Sequence, residues 1–273
     1  MHRRFLVLLV LVVLAAVPAF ANHSWGGYHW ARTSNPFTLK IHDNVDPIWE
    51  PYLTTAASDW AQSTVLNLTV LWQQPLTSQR KCGSTTGQIE VCNTKYGFNG
   101  WLGIAGISVT GGVHITKGYE KMNDSYYTQA QYNTPAWRQM VMCQEIGHTF
   151  GLDHQDENFD NPNLGTCMDY TNNPSTNQHP NQHDYQELQD IYAHLDSFNS
   201  YTAVFNSMEM SARMPKTIDE ILSADTDDLG VPVRWDKGGR PDVFVKPVAF
   251  SQDKGADIDV VHIFWIPPGM PRD

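Results

Sequence analysis

Positive charge is scarce in this chain. Its 273 residues carry 18 Lys and Arg against 29 Asp and Glu, a formal net charge of −11. That balance repels phosphate backbones and anionic headgroups, so neither nucleic acid nor an anionic lipid surface is an expected partner. Beyond the first 17 residues no apolar run is long enough to cross a bilayer, and no membrane association is expected of the mature chain. Internal repeats and low-complexity tracts are absent after the N-terminus, which excludes solenoid and propeller architectures. Cysteine is limited to four residues, Cys82, Cys92, Cys143 and Cys167, and none lies where a lipoprotein would carry its anchor.

What the N-terminus does have is a short basic start (Arg3, Arg4), an apolar run from Phe5 to Val17, and the small-x-small step Ala19-Phe20-Ala21. This pattern reads as a secretory signal peptide, residues 1–21, and predicts a secreted, extracellular product. Residues 22–36 are then too few for a folded inhibitory segment ahead of the first strand. An even cysteine count in an exported chain points to two disulfides with three possible pairings. A Cys82–Cys92 bridge would close the Gly- and Thr-rich turn KCGSTTGQIEVC.

The pattern of apolar residues predicts an α+β fold. FTLKI (37–41) and VLNLTVLW (65–72) alternate as strands, and Trp49, Leu53, Ala56, Ala57 and Trp60 give 47–63 a helical apolar stripe. Residues 97–116 read as two strands joined at Gly111-Gly112. Thr134-Pro135 opens a helix expected to run to Phe150 and stop at Gly151, and HDYQELQDIYAHL marks another over 184–196. The first domain is expected to span 22–200. VPVRW, DVFVKPV and DVVHIFWI then read as three strands of a small C-terminal β appendage, 201–273.

Chemistry concentrates in VMCQEIGHTFGLDH (141–154). On a helix, Gln144 and His148 share one face, Glu145 is one step around, and a turn at Gly151 can return His154 to the same point. Three converging side chains beside a carboxylate make an open, three-ligand zinc site, with Glu145 as general base for an attacking water. QEIGHTFGLDH (144–154) resembles the metzincin superfamily of zinc endopeptidases, whose signature is HExxHxxGxxH followed by a Met-turn. Only the first position departs, with Gln144 in place of His. CMDY (167–170) resembles the Met-turn, with Met168 beneath the metal and Tyr170 where astacin- and serralysin-like members keep a tyrosine that reaches it.

The resemblance implies a metzincin-like domain with a twisted mixed sheet, three main helices and a Met-turn. It implies a monomeric zinc-dependent endopeptidase acting on a protein or peptide substrate laid antiparallel to an edge strand near 113–116. Gln144, His148 and His154 would be the Zn2+ ligands, Glu145 the base, and Tyr170 an oxyanion contact. A Cys143–Cys167 bridge would clamp the ligand helix to the Met-turn. The alternative is a catalytically inactive module of the same fold that binds protein or carbohydrate through the same cleft or through the C-terminal β appendage. His179 and His183 are rival donors beside the motif, and His114 is expected as an ordinary strand side chain. His23, His29, His42, His194 and His262 belong to no motif. Asp153, Asp156, Glu157 and Asp160 are candidate Ca2+ ligands without EF-hand spacing. Asn67 and Asn123 head glycosylation sequons.

Overall fold

The structure, a computed structural model, describes residues 22–72, 80, 82–83, 85–202, 229–251 and 255–271. The expected signal peptide lies outside them. Among the described residues no helix is long and apolar enough to cross a membrane.

The chain is α+β. Strand β1 (His29–Trp30) is short, and β2 (Phe37–Asn44) follows with Phe37, Leu39 and Ile41 turned inward. Helix α1 (Glu50–Trp60) buries Leu53, Ala56, Ala57 and Trp60, the stripe visible in the sequence. It begins three residues after Pro47, because Trp49 N–H donates to Asp46 O and closes a turn first. Strand β3 (Leu66–Trp72) pairs in parallel with β2, and so does β4 (Gln88–Thr94) on the other side. No strand was expected at β4, which begins inside the expected disulfide turn and runs two residues beyond it. Cys92 sits on it, and Cys82–Cys92 ties the approach to the strand itself.

Strands β5 (Trp101–Thr110) and β6 (His114–Asn123) form the expected hairpin, with Gly111 and Gly112 at φ 60° and 81° in its turn. Helix α2 (Pro135–His148) carries the Thr134 cap, whose hydroxyl accepts from Trp137 N–H, and α-helical geometry ends two residues before Phe150. Helix α3 (Gln182–Ile191) starts on a capping box made by Asn181 and Asp184, and it ends at Ile191 rather than near 196. Helices α1 and α2 pack on one another, α1 over β3 and α2 over β5 and β6.

The last three strands, β7 (Val231–Trp235), β8 (Pro241–Ser251) and β9 (Gly255–Trp265), are present as predicted, but they are not set apart. Strand β9 pairs antiparallel with β5, and one sheet runs β3-β2-β4-β6-β5-β9-β8-β7, with β1 alongside β6. The expected appendage is therefore a continuation of the main sheet. The apolar residues Val260, Val261, Ile263 and Phe264 are all buried in it, and an open β5 edge is removed. One expectation about the sheet fails. Residues 113–116 cannot be an edge for a peptide strand, since β6 is flanked there by both β5 and β1.

Candidate metal centre

Helix α2 is buried along almost its whole length and presents Gln144, Glu145 and His148 to the interior, all at 0% exposure. Gly151, at φ 93°, turns the chain against the N-terminal segment, where Trp25 N–H donates to Gly151 O at 2.7 Å and Asp153 N–H to His23 O at 2.6 Å. The turn brings His154 back to His148, with the two Nε2 atoms 3.1 Å apart. His148 donates from Nδ1 to Leu152 O at 2.8 Å, which leaves its Nε2 lone pair facing His154.

The third imidazole comes from elsewhere. His262, in the middle of β9, lies opposite Ala105 of β5 and reaches the same point. One nitrogen from each of His148, His154 and His262 lies within 4.8 Å of the other two. Nδ1 of His262 donates to Glu145 Oε2 at 3.1 Å, and its Nε2 is 3.0 Å from the Tyr170 hydroxyl. Tyr170 is held from the other side by Asp242 on β8, at 3.2 Å. The second Glu145 oxygen, Oε1, has no side-chain partner.

Gln144 was expected to face the metal through its carboxamide oxygen. Its amide nitrogen donates to Cys167 O at 2.7 Å, so the side chain is committed to the segment that carries Met168. Its buried Oε1 has no hydrogen-bond partner. The Cys143–Cys167 disulfide is present, and Trp60 Nε1 donates to Cys143 O at 3.0 Å. A Cβ on Gly147 would come within 2.7 Å of Met168 Sδ, so α2 rests directly on that sulfur.

Burial decides the protonation of these groups. It lowers His148 to about 4 and holds His154 and His262 well below the ordinary imidazole range, so all three are neutral donors near pH 7. Burial also pushes the Glu145 carboxyl well above the usual carboxylate range, against the pull of the Ala105 N–H. Three neutral imidazoles on rigid elements, two of them with an acceptor on Nδ1 (Leu152 O for His148, Glu145 Oε2 for His262) and the third with Arg234 Nη2 3.3 Å from Nδ1 of His154, form a donor set that suits a zinc-type divalent ion.

Three of the four acidic candidates for Ca2+, Asp153, Asp156 and Glu157, are paired with cationic side chains. Arg234 of β7 bonds to Asp153, lies 3.1 Å from Glu157, and pairs with Asp242 at 2.9 Å. Lys237 meets Asp156 at 2.8 Å. His179 pairs with Asp59 and His183 stacks on His23, and neither joins the three imidazoles.

No protein-family model matches the chain, and no curated protein does. Among solved structures, myroilysin is similar over 60% of this chain and 96% of its own, with a TM-score of 0.33 and 11% identity. High choriolytic enzyme 1 from Oryzias latipes (Medaka fish), a hatching enzyme zinc-protease, is similar over 60% and 94%, with a TM-score of 0.34 and 9% identity. Likeness this distant leaves the functional reading to the chemistry of the site.

Proposed function

We propose that the chain is an exported zinc-dependent peptidase whose metal is held by His148, His154 and His262. The observation that carries this reading is the convergence of three buried, neutral imidazoles beside Glu145. Zn2+ bound there supplies Lewis acidity toward a substrate carbonyl and toward water. Glu145 takes the proton of the attacking water through its unpartnered oxygen and delivers it to the departing amine. Tyr170 donates its hydroxyl hydrogen to Asp242 beside His262, and it stabilises a developing oxyanion by turning that hydrogen away from the carboxylate. Met168 is the floor of the site in the manner of a Met-turn. Gln144 couples α2 to that floor, and it leaves the third ligand position to β9.

A second reading is favoured by the burial of every one of these groups and by β9 lying along β5. On that reading the centre is a closed metal clamp in a catalytically silent module. Both are tested on purified residues 22–273 by metal analysis and casein digestion with and without chelator. The peptidase reading expects one zinc at this centre, digestion that chelator abolishes, and an E145A variant that keeps its metal but loses activity by at least about a thousandfold. Zinc retained with no digestion by any preparation identifies the silent module. His262→Ala should release the metal and Gln144→Ala should not; the reverse pattern would restore Gln144 as ligand.

A further inference from the structure

We propose a second metal site, built from His29, His114, His194 and Asp196, that takes a zinc-type divalent ion in a structural role. None of these residues belongs to the centre described above. Their convergence follows from the fold. The parallel register of β1 on β6 sets His29 directly opposite His114, so their side chains leave the sheet together, with ring centroids 5.0 Å apart. Because α3 stops at Ile191, residues 194–196 run back across that pair, and Asp196 N–H donates to Arg32 O.

One atom is the focus. Asp196 Oδ1 lies 3.3 Å from His114 Nε2, 3.7 Å from His29 Nε2 and 3.8 Å from His194 Nε2. His194 Nε2 is 3.1 Å from His29 Nε2. Donors at about 2.0 Å from a tetrahedral zinc sit about 3.3 Å from one another; ligand atoms of His29, His114 and Asp196 all lie within 4.8 Å of one another, and His194 joins them through His29 and Asp196. Two of the four residues have their remaining atoms committed in the way metal ligands require. His29 donates from Nδ1 to Gly27 O at 2.9 Å, which turns its Nε2 lone pair inward. Arg32 takes the other Asp196 oxygen, Oδ2, from Nη1 at 2.9 Å and from its backbone N–H at 3.1 Å, so Oδ1 is left to the three imidazoles.

Three imidazoles and one carboxylate fill four positions and leave none open, which is the pattern of a structural rather than a catalytic ion. It would pin the N-terminal leader, the β5–β6 hairpin and the segment after α3 together. Those segments are far apart in sequence, and a bound ion would restrict the unfolded chain accordingly.

The test is zinc stoichiometry of the full mature chain against a H114A/H194A variant. Both positions are partly exposed and outside the core, so the variant is expected to fold. The site predicts that the variant binds one equivalent fewer, two falling to one if the first centre also holds metal. A fall from one to none supports this site and removes the metal from the peptidase reading, so the two ideas fail separately. Equal stoichiometry in both chains, at any value, overturns the proposal. The single H194A variant, at the most exposed ligand, gives a second measure. It should weaken the second equivalent by at least about tenfold in a Co2+ titration followed in the visible region, and unchanged affinity would again overturn it.

Discussion

A methyl group at residue 151 would lie 1.9 Å from Tyr28 O, and the backbone there sits at φ 93°. Both conditions hold because the chain must turn within one residue to return His154 to His148 while the leader packs against the bend. Gly151→Ala should therefore cost at least about 2 kcal/mol in chemical denaturation and lower zinc occupancy with it. A variant as stable as the wild type would mean that the turn is not constrained by the leader. His23, close by, is lowered to about 4, first by burial and then by His183. Its ordinary value is 6.5, so the unfolded chain takes up the proton first as pH falls. The stability it contributes is complete above 6.5 and is lost from there down to about 4. Against the wild type, His23→Gln should flatten the fall in stability across that window by up to about 1.4 kcal/mol per pH unit. Parallel curves would show that His23 titrates normally in the folded chain.

At the scale of elements, α2 and the segment 167–170 act as one unit. The Cys143–Cys167 bridge, the Gln144 bond to Cys167 O and the contact of Gly147 with Met168 all lie within two turns of helix. A bridge spanning 24 residues restricts the unfolded chain by about 3 kcal/mol. C143S/C167S should lose roughly that much stability, with zinc affinity falling as Met168 loosens; an unchanged denaturation midpoint would assign the clamp to the Gln144 bond alone. Much of this unit was legible in the sequence. The four-residue spacing of Gln144 and His148 puts them on one helical face whatever the fold, and Gly151 announces its own turn. Strand β4 was not legible, because its run QIEVC is short and masked by the Gly and Thr residues before it. The role of His262 was not legible either. In DVVHIFWI it is one polar residue in a buried strand, and only the register of β9 on β5, across 117 residues of chain, brings it to Glu145.

Taken as a whole, the molecule closes the proposed metal centre with its own C-terminal strands. Strand β9 supplies His262, β8 supplies Asp242 to Tyr170, and β7 supplies Arg234 to the loop after His154. The continuous sheet is thus also the means by which the centre acquires its third imidazole and its lining. A chain ending at residue 202 would lose all of these and expose the hydrogen-bonding edge of β5 together with the apolar surface that Val260, Ile263 and Phe264 cover. It should bind no zinc at the first centre and melt lower by on the order of 10 °C. His29, His114, His194 and Asp196 all remain in such a chain, so it should keep the equivalent assigned to the second site. A truncated protein with an unchanged midpoint and a full first centre would show that 229–271 is a dispensable cover and that Gln144, not His262, completes the ligand set.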